Sequence, residues 1–400
     1  METGYSITTW RMALRCRHPE WLGDTEVIYR KICLFYYQVI REQNLLEHGG
    51  SMQQLQREAE RLTIKGRNGE TPLYVLPFDN IPAYFRRSAI NKALAAAKSQ
   101  RARDDTGEME KMDASVTFFK GTYRNMTERG VELKVWNGEK WTWMHCRLKG
   151  KPFPEKGQIM SPALVKKHGS YMLHVPVKKE ISDVRPARER VNAGERICSV
   201  QFTNTDHFAV GCVLDREGSL LKVRFFGGGG EYRHRCRLLE ERIQRSNESM
   251  GHVSEGQANK KYYMHLKHLA EYYGHLTSRR IVDFCTEWQV KTIVLPEYEE
   301  NYSRIVQIRA GNYSPLHLAG RIRSYLSYKA WDAGMIVMRV PAAGTSGNCF
   351  RCGLKVKRRE NCVICENGHR ELRFVNTGVN LGRKYLMSMK TGTGKGLDKK

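Results

Sequence analysis

The chain has 400 residues, more than one hydrophobic core usually holds, so two or three domains are expected. Its 67 Lys and Arg against 42 Asp and Glu give a formal charge of +25 and a pI near 9.7, so the natural partner is a polyanion, nucleic acid before an anionic membrane surface. With 40% hydrophobic and 10% aromatic residues it is not a disordered polycation. No apolar run reaches the ~18–20 residues that span a bilayer, and Met1–Arg17 is too polar for a signal peptide.

In chain order, residues 5–16 have strand character and 24–47 carry Val27, Ile28, Ile32, Leu34, Phe35, Val39 and Ile40 at roughly helical spacing. Residues 51–62 read as a second helix, and Pro77 and Pro82 then break the chain. Residues 83–103 form an Ala-rich basic helix whose Arg86, Arg87, Asn91, Lys92 and Lys98 are candidate nucleic-acid contacts. From 114 to about 181, aromatic and β-branched residues alternate with polar ones, and Asn-Gly (137–138) and His-Gly (168–169) mark tight turns, so a small β-barrel or antiparallel sheet is expected.

Residues 186–193 read as a linker. Beyond it come two or three strands (199–226), a Gly4 loop (227–230), and a basic helix (233–245) that offers Arg233, Arg235 and Arg237 to phosphates. A long helix (260–288), a buried strand (from 292), a helix (316–333) and a strand (334–342) follow. That succession is expected of an RNase H-like α/β domain. The Lys/Gly-rich end, 391–400, reads as a disordered basic tail.

Eleven cysteines are an odd number, and four of them form two Cys-x2-Cys pairs nine residues apart: Cys349, Cys352, Cys362 and Cys365. This is the spacing of a closed tetrahedral structural Zn²⁺ site in a reduced, cytoplasmic setting. His369 is nearby, but four thiolates leave no place for it. Lys357, Arg358 and Arg359, between the pairs, favour thiolate and are candidate phosphate contacts.

A two-metal nuclease needs carboxylates from separate strands to hold its Mg²⁺ ions. In an RNase H-like domain the first acid lies in the middle of the first strand, where this chain has Gln201. The second should follow the apolar run 292–295, where Pro296 stands. Glu297, one residue on, points to the opposite face by period-2 alternation and is the one residual acid of the set. The third should lie two residues before Asn376, where Phe374 stands. Asp206, Asp215, Glu299, Glu300 and Asp332 are the other nearby acids and read as solvated surface residues.

These segments together resemble the TnpB family and the compact type V CRISPR effectors derived from it. The resemblance is carried by Ser199-Val200-Gln201, by Val294-Leu295-Pro296-Glu297, and by Thr345-Ser346-x2-Cys349-x2-Cys352-Gly353. Cys362-x2-Cys365 and Asn376-x3-Asn380-Leu381 complete it. It implies an α+β multidomain fold: a wedge-like β-barrel (1–22 and 114–185), a helical recognition region (23–113), the linker (186–193), a RuvC-like RNase H domain (194–344 and 371–390) and an inserted zinc ribbon (345–370). The implied partners are a guide RNA, either crRNA or transposon-end RNA, and double-stranded DNA bearing a short flanking motif, with no membrane. The setting implied is the nucleoid of a prokaryote.

The departure at the three acid positions implies a nuclease-dead member with no catalytic Mg²⁺, acting as a transcriptional repressor or targeting factor. Two alternatives stand beside it: an active endonuclease using Glu297 with an unconventional second acid, and a targeting subunit for CRISPR-associated transposition. The sequence leaves monomer and homodimer open, and it does not name protein partners.

Overall fold

The computed structural model describes residues 4–65, 71–103, 105, 107, 109–154, 157–250, 259–298 and 313–391. Glu299, Glu300 and all of the basic tail but Thr391 lie outside them. The chain divides into two compact units, Ile7–Lys179 and Met1–Ser6 with Glu180–Lys400.

The first unit joins three helices to a sheet. α1 (Pro19–Glu42), α2 (Met52–Arg61) and α3 (Ala83–Arg101) accompany β1 (Gly4–Cys16), β2 (Tyr123–Arg124), β3 (Gly130–Trp136), β4 (Trp141–Lys149), β5 (Gln158–Ile159), β6 (Ala163–Lys167) and β7 (Ser170–Ile181). The sheet runs β2-β3-β4-β1-β7-β5, with β6 also on β7. Beyond this path, isolated bridges pair Thr117 with Ala163 of β6 and Lys120 with Tyr123 of β2.

Both turn signals are present. Asn137 Oδ1 accepts from the amides of Glu139 (3.0 Å) and Lys140 (2.7 Å) between β3 and β4. His168 and Gly169, both at positive φ, join β6 to β7. The sequence divides helices from sheet, yet they share one core, in which Tyr29, Phe85, Ile90 and Leu94 pack with Val116, Val131, Leu133 and Leu173. The buried tyrosines keep their hydroxyls bonded, Tyr29 to Ser88 (2.8 Å) and Tyr36 to Thr63 (2.7 Å).

The second unit is built on β8 (Ile197–Phe202), β9 (His207–Leu214), β10 (Leu220–Gly227), β11 (Thr292–Glu297) and β12 (Ile336–Pro341). Their order is β10-β9-β8-β11-β12. The first three are antiparallel, while β11 and β12 are parallel to β8 and are reached through helices. This is the succession the sequence predicts. The helices are α4 (Ala187–Asn192), α5 (Gly229–Met250), α6 (Lys260–Glu287), α7 (Ala319–Asp332) and α8 (Arg373–Lys390). The sheet buries both faces, as a parallel core requires. Cys198, Val200, Ile293 and Leu295 face one side with α6 and α7. Ile197, Cys212, Val294 and Val340 face the other with α8.

The expected linker is a correction. Residues 187–192 are helical, with Ala187 and Val191 in the α8-side core. Arg190, 1% exposed, explains why. Its guanidinium donates to the carbonyls of Arg185 (2.9 Å), Lys291 (3.1 Å), Gly334 (3.0 Å) and Asp183 (2.9 Å) and pairs with the Asp183 carboxylate at 3.3 Å. One side chain thus satisfies the carbonyls of three separate chain segments.

Replacing it with Met strands those carbonyls and the Asp183 charge. Arg190→Met is expected to lower the unfolding free energy by about 3–5 kcal/mol, read from urea denaturation. A loss below about 1 kcal/mol, the worth of an exposed pair, would contradict this.

Candidate metal centre and the adjoining cleft

The cysteine segment folds as a three-stranded antiparallel sheet, β13 (Val356–Arg359), β14 (Cys362–Cys365) and β15 (Arg370–Leu372). Before it, the chain turns tightly at Cys349–Leu354: the Gly353 amide donates to the Cys349 carbonyl (2.8 Å), and the Cys349 amide to the Leu354 carbonyl (2.8 Å). A matching turn follows β14. The Gly368 amide donates to the Cys365 carbonyl (2.9 Å), and the Cys365 amide to the His369 carbonyl (3.1 Å).

These two turns bring together Cys349, Cys352, Cys365 and His369, whose donor atoms all lie within 4.8 Å of one another. Cys352 and Cys365 sulfurs are 3.6 Å apart, and His369 Nδ1 is 3.6 Å from Cys365 Sγ and 3.8 Å from Cys349 Sγ. Three thiols and one imidazole are a donor set that could hold Zn²⁺ with all four positions filled.

Cys362 is the correction here. It sits at the far end of β14 from Cys365, and residues three apart in a strand point to opposite faces. Cys365 and Val363 are buried on one face, while Cys362 and Ile364 lie on the other. The fourth residue of the cluster is therefore His369, in a Cys-x3-His pair closed by the Gly368 turn. Burial raises the Cys349 thiol pKa, but the backbone amides of Cys352 and Arg351 and the thiols of Cys352 and Cys365 outweigh it, and the net shift is downward. For Cys352 the Leu354 amide is outweighed by burial and the thiols of Cys365 and Cys349, and the net shift is upward.

The cluster is tied to α8 by two asparagines one turn apart. Asn376 accepts from the Phe350 amide (2.9 Å) and donates to the Asn348 carbonyl (2.9 Å). Asn380 donates to the carbonyls of Asn348 (2.8 Å) and Thr345 (3.1 Å). This gives the Asn-x3-Asn spacing a physical role: it latches the first cysteine turn to the helix.

A cleft of about 430 Å³ opens beside this cluster. Gln201 at the end of β8 and Phe374 at the start of α8 both line it, with Tyr298, Thr345, Ser346, Arg358 and Arg373. Gln201 Nε2 donates to the Tyr298 hydroxyl (3.1 Å). Pro296 is buried and shares the strand parity of Val294, the α8 side of the sheet. Glu297 is exposed at the strand end with the opposite parity. Among the described residues no carboxylate lines the cleft.

The expected nucleic-acid contacts divide. Arg86 is withdrawn from that role: it is mostly buried and bonded to the buried Glu60 (2.7 Å). Arg87 shares the same carboxylate (2.9 Å) with its side chain still 43% exposed. Asn91 and Lys92 are half-buried and Lys98 is exposed. Arg233, Arg235 and Arg237 are exposed on α5, each beside an acid: Asp206 (3.3 Å), Glu231 (2.6 Å) and Glu241 (3.7 Å). Such surface pairs are weak and yield readily to a phosphate. Lys357 and Arg359 are exposed on β13, and Arg358 alone of the three reaches the cleft. Sequence reasoning missed Arg373 and Tyr298, which no spacing rule singles out.

The purified chain is expected to carry one zinc per molecule by elemental mass spectrometry. Cys362→Ser should keep it, while His369→Ala and Cys365→Ser should lose most of it. Zinc lost from Cys362→Ser but retained in His369→Ala would reverse the ligand assignment.

With this geometry in view, the chain can be set against known proteins. By sequence, none of the curated proteins matches it. A family model described as the Aq_aa04 family matches residues 6–137. Another, the Cas12f1-like TNB domain, matches residues 320–381, the stretch that holds the cysteine cluster and its latch. Among solved structures, a Cas12f1–sgRNA–target DNA complex aligns at a TM-score of 0.53 and 11% identity, over 90% of this chain and 81% of that one. The mini RNA-guided endonuclease CRISPR-Cas phi3 aligns at 0.51 and 8% identity, over 96% and 92%. The chain therefore has the fold of a compact, TnpB-like type V effector, and its C-terminal segment carries the TNB domain of the Cas12f1-like kind.

Proposed function

We propose that this chain is an RNA-guided, double-stranded DNA-binding protein that does not cut its target. In this reading the five-stranded unit is a RuvC-like domain with a degenerate metal site, and Cys349, Cys352, Cys365 and His369 hold a structural zinc. The sheet of residues 7–179 is a wedge, and its helices α1–α3 form the recognition region.

The carrying observation is the cleft. At two of the three positions where the fold would bring carboxylates together, Gln201 and Phe374 line it, and Pro296 fills the third. The fold supports the guide: one similar structure was solved with an sgRNA and target DNA. So does a charge of +25, since backbone contacts to RNA and a heteroduplex need cations and shape more than base readout. Sequence specificity would come from base pairing, with the protein reading a short flanking motif, as in guided effectors generally. Bound over a promoter, such a complex blocks transcription.

Purification from cells carrying the native flanking DNA should yield one discrete RNA species with a constant scaffold and a variable end. The resulting complex should protect matched duplex in a footprint and leave both strands intact in millimolar Mg²⁺. RNA of random length, or Mg²⁺-dependent cleavage abolished by Glu297→Ala, would overturn the proposal.

A further inference from the structure

Two cysteines outside the metal cluster face each other across the sheet of the first unit. In the antiparallel register of β1 with β4, Cys16 stands directly opposite Cys146, next after the pairs Leu14–Leu148 and Arg15–Arg147. Directly opposed residues point to the same face of a sheet, and here that face is the core. Leu14, Leu148 and Cys146 are buried, and Cys16, the last residue of β1, is half-buried. Opposed residues of an antiparallel pair have Cα atoms about 4.5–5.5 Å apart. A disulfide spans about 4.4–6.8 Å between Cα atoms, so the two thiols can join with little backbone movement.

Access singles out this pair. Cys198 and Cys285 also bond each other, but both are 0% exposed. Cys16 instead lines a cavity of about 610 Å³, together with Arg15, Glu20, Lys166, Ser170 and Tyr171. That is the volume of a small-molecule site. Its lining holds two exposed cations, Arg15 and Lys166, against one acid, which favours a molecule carrying carboxylates.

We infer that Cys16 is a site of thiol–disulfide exchange with a small, carboxylate-bearing disulfide of the glutathione class, and that Cys146 resolves the adduct into a Cys16–Cys146 bond. The inference stands independently of the guided-binding reading. Cys16 Sγ, as thiolate, attacks one sulfur of the small disulfide; the other half leaves as a thiolate and takes up the proton that Cys16 gave. Cys146 Sγ then attacks Cys16 Sγ, and the second half leaves with the Cys146 proton. Two protein thiols are thus oxidised to one disulfide, and the small disulfide is reduced to two thiols.

The order of attack follows from the surroundings of the two sulfurs. Burial raises the Cys16 thiol pKa, and the Cys146 thiol lowers it in part by bonding to it. Burial pushes Cys146 up to about 12, with Cys16 adding to the rise. Cys16 therefore ionises first, and it is the one the cavity reaches. The resulting bond ties the end of β1, three residues before α1 begins, to β4. All three helices of the unit lie between the two cysteines in sequence. Closing so long a stretch restrains the unfolded chain far more than the folded one.

The test exposes the full, zinc-loaded chain to a series of oxidised-to-reduced glutathione ratios, alkylates the remaining thiols and maps the peptides by mass spectrometry. A linked Cys16–Cys146 peptide is expected at ratios that leave the zinc content unchanged and Cys198 and Cys285 reduced. The oxidised chain should melt several degrees higher than the reduced one, and reduced glutathione should reverse both changes. Cys146→Ala should stop at a glutathione adduct on the Cys16 peptide, while Cys16→Ser should leave Cys146 unmodified. A cooperative melting transition shows that each variant is folded; if Cys146→Ala is not, the linked peptide of the unaltered chain decides. Arg15→Gln with Lys166→Gln should slow the reaction several-fold with oxidised glutathione and leave it unchanged with bis(2-hydroxyethyl) disulfide, which carries no carboxylate.

No Cys16–Cys146 link at any ratio that spares the zinc, or an adduct that forms on Cys146 in Cys16→Ser, would overturn the inference. Equal slowing with both small disulfides would overturn the assignment of a carboxylate-bearing ligand to the cavity.

Discussion

The seating of α8 on the central sheet is the contact on which the candidate sites depend. Gly378 and Gly382, one turn apart, let the helix backbone come down onto β8 and β9. A side chain at Gly378 would meet Cys212 Sγ at 2.9 Å, and one at Gly382 would strike Leu214. Ser199 Oγ donates to the Gly378 carbonyl at 2.6 Å and fixes the register. From this one contact follow the position of Phe374 beside Gln201 and the position of Asn376 and Asn380 beneath the first cysteine turn. Arg383 extends the same face, donating to the Gly218 carbonyl (2.9 Å) and to that of Phe350. Metal cluster and cleft are therefore two ends of one helix-borne arrangement.

In the proposed reading, that arrangement accounts for how such a chain can exchange its chemistry without losing its frame. The frame is held by glycines, asparagines and apolar strands. At the three positions, Gln201 and Phe374 are half-buried and Pro296 is buried, and the neighbours that secure β8 are Cys198, Val200 and Phe202. In the proposed reading, a neutral amide, a proline and a ring stand where carboxylates would gather divalent ions.

Much of this was legible in the sequence, for identifiable reasons. The strands of the second unit are long apolar runs bounded by turn residues, so β8, β9, β11 and β12 stood out, as did the Asn-Gly and His-Gly turns of the first unit. The misreadings have equally local causes. Residues 186–193 look like a linker because Pro186 and the charges around it suggest solvent, and nothing in one dimension shows that Arg190 will find four carbonyls from three other places. Cys362 looks like a ligand because a Cys-x2-Cys spacing suits a turn, but β13 and β15 clamp residues 362–365 into a strand and turn one thiol away. Arg86 looks like a phosphate contact until Glu60, 26 residues earlier, claims it. For Arg190 and Arg86 a partner distant in sequence overrode a sound local signal; for Cys362 the neighbouring strands did.

The central claim, that the cleft no longer holds divalent ions, is open to one direct measurement: titration of the RNA-free chain with Mn²⁺, a stand-in for Mg²⁺ that thiolate-rich sites disfavour, followed by electron paramagnetic resonance. The account predicts that the free-ion signal grows in step with added Mn²⁺ and is undiminished by the protein, with no spin-coupled pair. Stoichiometric loss of that signal, with the spectrum of two neighbouring Mn²⁺ ions, would show a working two-metal site and contradict the account.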